Sequence, residues 1–193
     1  MSTERTGKIV YFTDKGPSNT GRTIECAVAC CREQSIAKIV VASSSGETAL
    51  KLRKMADPAC EVIAVTYCAG SRFADKVEAF NANRQKVEKA GIKIVRGIHA
   101  LSATERTFEN KYGAKFIPLN LVSDSLRMFG QGMKVCVEIA IMAAEHGFVT
   151  PSEEIVVLGG SGTGADTAVV LQPAFAAKMF DLKIQQILCK PLG

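Results

Sequence analysis

The sequence predicts a three-layer α/β/α fold on a mostly parallel sheet. Three observations predict it. Short β-branched apolar runs such as Ile36–Ala42 and Val62–Thr66 are apolar at nearly every position, as strands covered on both faces must be. The helical stretches between them are short crossovers, which imply parallel neighbours. Two of the runs lead straight into Gly/Ser-rich turns, Ser43–Thr48 and Gly159–Thr167, placed where open α/β sheets collect ligands.

The elements follow in order. Ile9–Phe12 is a first short strand, ending in a turn-rich stretch from Thr13 to Thr20. Ser18 or Asn19 is a natural N-cap for the helix beyond. Ile24, Ala27, Val28 and Cys31 fall on one stripe of that helix. Ile36–Ala42 is a buried strand. Glu47–Ala56 is a helix with Ala49, Leu52 and Ala56 inward, stopped by Asp57-Pro58. Val62–Thr66 is a third strand, so residues 9–66 read β-α-β-α-β. Phe73–Ala90 is amphipathic through Phe73, Val77, Phe80 and Val87, and Gly91 ends it. Ile92–Val95 is a fourth strand.

Residues 97–130 fit a hairpin or a lid, with a helix over Asn120–Phe129 and a less legible stretch at Lys111–Phe116. Within it, Ser102 and Glu105 have the spacing of a capping box. Lys134–His146 is apolar nearly all round and so is a central, covered helix. Ile155–Leu158, Ala168–Leu171 and Ile184–Leu188 are late strands. With no linker or repeat, residues 1–193 are expected to form one domain.

Composition narrows the function. The net charge of +5 is modest and interleaved, without a basic, aromatic-studded stripe, so nucleic acid is not expected as a partner. No apolar run reaches spanning length, so neither is a membrane. The seven cysteines are odd in number, lack a Cys-x-x-Cys pair and are accompanied by only two histidines. A zinc site is not expected, and no metal is. The polar start, MSTERTGKIV, has no apolar leader segment. The cysteines then read as small buried hydrophobes in a reducing, cytoplasmic setting.

Both loops suit an anion. In Ser43-Ser44-Ser45-Gly46-Glu47-Thr48, a strand turns tightly into a helix whose N-terminus carries about half a positive charge. Serine and threonine hydroxyls add short donors, and Gly46 admits an oxygen close to the backbone. Gly159–Thr167 contributes Gly160, Ser161, Gly162, Thr163, Gly164 and Thr167; without a Lys after its final Gly it is not a Walker loop. Capping alone would account for part of the first loop, and a plain turn between strands for the second.

Other polar residues fall on the same edge: Asn19 and Thr20 after the first strand, Thr66 and Tyr67 after the third. His99 and Ser102 follow the fourth strand. Lys134 and Glu138 stand one turn apart on the apolar helix. They read as an internal ion pair, or as a lysine reaching a phosphate or ring oxygen with Glu138 orienting it. His99, Ser102 and Glu105 do not make a hydrolase, because no Gly-x-Ser-x-Gly elbow is present. His146 is a dipole partner at a helix end. No catalytic acid–base pair stands at a diagnostic spacing.

These residues carry a resemblance. IAKIVVASSSGETALKLRKMADPACEVIAVT, residues 36–66, resembles the C-terminal domain of pyruvate kinase, and GGSGTGADTAVV resembles its glycine-rich loop and last strands. More closely, VVASSSGETA, GIKIVRGIHALSATER, GQGMKVCVEIAIMAAEHG and LGGSGTGADTAVVLQPA are similar to a family of stand-alone archaeal and bacterial pyruvate kinase C-terminal-domain-like proteins. The resemblance implies that domain's fold and an effector-phosphate turn at Ser43–Thr48. It also implies a flavoprotein or nucleotide-binding role with flavin mononucleotide (FMN) as cofactor. The alternative is a regulatory module that senses a phosphorylated metabolite without catalysis, acting through a partner or a homo-oligomer. The catalytic barrel of pyruvate kinase is absent from the sequence, so kinase activity is not expected.

Overall fold

The computed structural model describes residues 4, 6–113 and 117–193. Its strands are β1 (Val10–Phe12), β2 (Lys38–Ala42), β3 (Glu61–Thr66), β4 (Lys93–Arg96), β5 (Ile155–Gly159), β6 (Thr167–Gln172) and β7 (Lys183–Pro191). They form one seven-stranded sheet in the order β1-β7-β6-β5-β2-β3-β4. Every neighbouring pair is parallel except those of β6, which runs against both β5 and β7. The helices are α1 (Thr20–Gln34), α2 (Glu47–Met55), α3 (Ala74–Lys89), α4 (Arg106–Tyr112), α5 (Pro118–Arg127) and α6 (Gln131–Glu145). None of them is long and apolar enough to cross a membrane.

Side-chain alternation sorts the core into layers. Ile39, Val41, Val62, Ala64, Val156 and Leu158 face α1 and α2, meeting Ile24, Val28, Ala49 and Leu52, with Val87 of α3 in the same cluster. Val40, Ile63, Val65, Val95, Ile155 and Val157 face α6, meeting Met133, Cys136, Ile139 and Ala140. A smaller cluster, Val137 and Ile141 with Leu101, covers the outer side of α6, where Leu119, Val122 and Leu126 of α5 pack. Helix α6 therefore lies between the sheet and α5, which explains why it is apolar nearly all round. Lys134 and Glu138 are buried with it, while Glu145 at its end is exposed.

The structure differs from the sequence reading in three places. Residues 97–130 are no hairpin: among the described residues they form a loop and the helices α4 and α5. Ser123 of α5 donates to the Leu101 carbonyl at 3.1 Å, tying the segment to the core. The stretch 114–116 lies outside the described residues. The capping box does not form, because α4 begins only at Arg106 and Ser102 donates elsewhere; Glu105 instead accepts from the Ala103 N–H at 2.6 Å. Finally, Asn19 stands at the N-cap of α1 without a side-chain cap bond, its amide donating to the Asp14 carbonyl at 2.6 Å. All seven cysteines are free thiols.

Candidate functional site

Because every strand but β6 runs the same way, the loops after β1, β2, β3, β4 and β5 emerge at one edge of the sheet. They bring the residues singled out in the sequence into three groups.

The first group surrounds the start of α2. The buried Ser43 hydroxyl accepts from the Ala49 N–H at 3.3 Å, and Ser45 Oγ from the Glu47 N–H at 3.4 Å. These two hydroxyls satisfy two N–H groups in the first turn of α2, whose N-cap is Gly46. Gly46 has a φ of +88°, and a Cβ there would sit 2.9 Å from Val87 Cγ2. Its glycine identity is required by the backbone and by contact with α3. Among the described residues, the amides of Ser44, Ser45 and Gly46 meet no protein acceptor. Glu47 is exposed and Thr48 half-buried.

Beside this turn the parallel register aligns Thr66 with Arg96 of β4, while Ser43 N–H donates to the Val65 carbonyl at 3.0 Å. Thr66 is 4% exposed, yet its hydroxyl has no hydrogen-bond partner among the described residues, and neither has Arg96 Nε. The Arg96 guanidinium is held over Phe80 at 5.6 Å, with Nη2 on Asn81 Oδ1 at 2.9 Å. Two unsatisfied donors thus lie on neighbouring strands beside this turn.

The second group is built on α6. Gly132 and Gly159 press the helix start against β5 and β6: a Cβ on Gly132 would overlap the Thr167 hydroxyl and stand 2.8 Å from Asp166 Oδ1. That close approach places Lys134 and Glu138 at the carboxyl edge. Glu138 Oε2 takes Lys134 Nζ at 2.7 Å and His99 Nδ1 at 3.3 Å. Its Oε1 takes the Leu101 N–H and the Ser102 hydroxyl, each at 3.1 Å. Lys134 Nζ also reaches Ser102 Oγ at 3.4 Å. Burial pushes the Glu138 carboxyl up, but the His99 hydrogen bond and the Lys134 charge outweigh it and hold the group at about 2. Burial pulls Lys134 down, against the opposite pull of Glu138. The two directions are compatible: the carboxylate collects four donors, so the desolvation cost of the pair falls on the lysine.

His99 is stacked on Tyr67, ring centroids 5.4 Å apart, and Tyr67 in turn contacts Phe73 at 5.3 Å. Burial and the Glu138 charge push the Tyr67 hydroxyl up. Lys76 Nζ sits 5.8 Å from the Tyr67 ring and donates to the Gly162 carbonyl at 3.4 Å, joining this group to the third.

The third group is the glycine-rich loop. Its converging amides are already occupied by a carboxylate of the chain itself. Asp166 Oδ2 accepts from Gly16 N–H at 2.9 Å and Ser161 N–H at 3.2 Å, and Oδ1 from the Thr167 hydroxyl at 2.9 Å. Thr20 donates to the Pro17 carbonyl and accepts from Ala165 N–H. Asn19, Thr20 and Thr167 therefore have structural partners, and a second anion would meet the Asp166 charge. Ser161, Gly162 and Thr163 are partly or fully exposed, whereas Gly160 is buried. Gly164 has a φ of +69°, and a Cβ there would stand 2.8 Å from Pro17 Cα.

Of the residues singled out, Ser43–Gly46, Thr48 and Thr66 come together; so do Ser102, Lys134 and Glu138; and Asn19, Thr20, Gly160–Gly164 and Thr167 meet around Asp166. Arg96, Lys76 and the anchoring role of Asp166 escaped the sequence reading. Arg96 depends on strand register and Lys76 on the approach of α3 to a distant loop, neither of which has a local signal. Asp166, inside the glycine-rich motif, did have one. Among the described residues no three His, Cys, Asp or Glu side chains are grouped to hold a metal ion.

Two solved structures match with 13% identity: a pyruvate kinase from Cryptosporidium parvum, with a TM-score of 0.41 over 83% of this chain, and the Cryptosporidium parvum pyruvate kinase in complex with ADP, with a TM-score of 0.36 over 81%. The chain spans about a quarter of their length, 24% of each. The family model described as pyruvate kinase, alpha/beta domain, matches residues 22–171, from within α1 to the end of β6. The chain therefore belongs to the pyruvate kinase alpha/beta domain family.

Proposed function

We propose that this chain binds a phosphate-bearing small molecule at the carboxyl edge of the sheet, with FMN as its cofactor. The observation that carries the reading is the pair of unsatisfied donors, Thr66 Oγ1 and Arg96 Nε, beside the free amides of Ser44–Gly46. Leaving buried polar groups unpaired costs about 1–3 kcal/mol each, and a phosphate oxygen would pair them. The first loop is the phosphate seat rather than the second, because Asp166 already fills the second.

The residues present fit a flavin. Tyr67 and Phe73 offer two aromatic rings, tilted 54° to each other, and Lys134, with Arg106 and Arg127 close enough to be felt by it, adds positive charge for electron-rich ring oxygens. When bound, FMN would supply redox chemistry; Ser44, Ser45, Gly46, Thr66 and Arg96 would hold its phosphate. The free thiols are in keeping with a cytoplasmic location.

Thermal melting of the purified chain with FMN, riboflavin, a sugar bisphosphate and inorganic phosphate tests this. At a hundred times its Kd, a ligand adds about 2.7 kcal/mol of stability. FMN is expected to raise the melting temperature well above riboflavin, and Thr66→Val and Arg96→Gln are expected to remove that difference. Equal effects of FMN and riboflavin would overturn the phosphate seat. A response to the sugar bisphosphate but not to FMN would favour the sensor, a reading supported by the same Ser43–Thr48 turn. No response to any of the four would refute both.

A further inference from the structure

His99 lies outside the phosphate seat and has a geometry of its own. Its Nδ1 meets Glu138 Oε2 at 3.3 Å. That carboxylate is fixed by the Leu101 N–H, the Ser102 hydroxyl and the Lys134 ammonium, so it cannot swing away to solvent. A carboxylate only accepts, and Nδ1 must therefore carry the proton. In the neutral ring Nε2 is then left with a bare lone pair. That nitrogen is buried and has no partner among the described residues. Tyr67 stacks on the ring, limiting its rotation.

An imidazole pinned through Nδ1 to a buried carboxylate, with Nε2 unpaired, is the arrangement of an acid–base group rather than of a loop tether. Resting on the binding reading above, we infer that His99 is the proton-transfer residue of the site, with Glu138 as its positioning residue. A proton leaves an O–H, N–H or acidic C–H of the bound molecule and joins the Nε2 lone pair, while the electron pair stays on that molecule. The imidazolium formed is stabilised by Glu138, whose carboxylate then lies between two cations, His99 and Lys134. The reverse step returns the proton, so no further reactant is needed.

Nitrogen NMR of the full chain labelled with 15N-histidine tests this. Only two histidines are present, so one His146→Gln variant assigns both. At a pH where the ring is neutral, His99 is expected in the Nδ1–H tautomer with bare Nε2. Adding FMN is expected to move the His99 Nε2 resonance and leave His146 in place, a response that a purely structural histidine would not give. Glu138→Gln is expected to mix the His99 tautomers. A protonated Nε2 in the neutral ring of the unaltered chain overturns the inference whether or not that variant folds. If FMN raises the melting temperature while His99 stays silent, the inference fails and the binding reading survives. If FMN does not raise it, the FMN reading and the inference fall together.

Discussion

The Lys134–Glu138 pair is lopsided, and removing its two members should not cost the same. Both side chains are 4% exposed. In Glu138→Leu, Lys134 keeps only the Ser102 hydroxyl at 3.4 Å, and the Leu101 N–H loses its acceptor. Stripping one partner from a buried pair costs about 3–5 kcal/mol. In Lys134→Met, the carboxylate retains the Leu101 N–H, the Ser102 hydroxyl and His99. It loses one charged hydrogen bond, worth about 1.5–3 kcal/mol, while the desolvation that pulls Lys134 down is relieved. The expected net loss is about 1–2 kcal/mol. The difference between the variants, about 2 kcal/mol, is roughly 4–8 °C in Tm for a chain of this size. Urea unfolding at neutral pH followed by circular dichroism reads both. Equal losses, or a larger loss for Lys134→Met, would refute the view that the carboxylate is the better-served partner.

Other expectations follow from the same geometry. The Glu138 carboxyl is held at about 2 in the folded chain, below its ordinary value, so its contribution to stability is complete above that ordinary value and lost as pH falls towards 2. From about 4.3 down to 2 the loss is on the order of 3 kcal/mol, and a urea series across that range should be flatter in Glu138→Gln; a parallel profile would argue against it. Gly132→Ala drives a methyl into Thr167 and Asp166 and should cost at least about 1–3 kcal/mol, measured by thermal unfolding. Asp166→Ala frees the Gly16 and Ser161 amides and should cost about 1–3 kcal/mol, with faster amide exchange at both positions. Thr66→Val should leave stability unchanged or raise it, because the hydroxyl it removes has no protein partner.

Much of the fold was legible because its signals are local. Ile39-Val40-Val41 and Ile63-Ala64-Val65 lie on both faces of the sheet, and a run without polar alternation says as much. Helix α6 announced its central place through its apolar girth. The reversed direction of β6 also had a signal: residues 160–166, between β5 and β6, are too few for a parallel crossover. The 97–130 segment misled because α4 and α5 are short and α5 gains its stability from packing on α6, which no local pattern displays. At the site, Lys134 and Glu138 were legible as i and i+4 on an apolar helix. Their partners Leu101, Ser102 and His99 lie more than thirty residues away, joined only once the loop after β4 folds over α6.

The two Gly/Ser-rich loops look alike in sequence, and their difference is why the anion seat is proposed at the first. Each turns at the end of a buried strand and each gathers backbone amides. After β5 the chain returns as an antiparallel strand, and its first residues bring Asp166 back under Gly16 and Ser161; the loop satisfies its own donors. After β2 the chain enters α2, whose first turn supplies N–H groups but no carboxylate facing inward, since Glu47 points to solvent. Ser43 and Ser45 absorb two of those donors, while Thr66 and Arg96 add two more that nothing absorbs. A loop that closes on its own carboxylate has its donors satisfied, and one that ends with donors to spare is where we propose the ligand sits. On that criterion an aspartate introduced at Ser44 should mimic the ligand. Ser44→Asp is expected to raise the melting temperature of the ligand-free chain and to abolish its response to FMN. If Ser44→Asp left the FMN response intact, the phosphate would have to sit elsewhere on the edge.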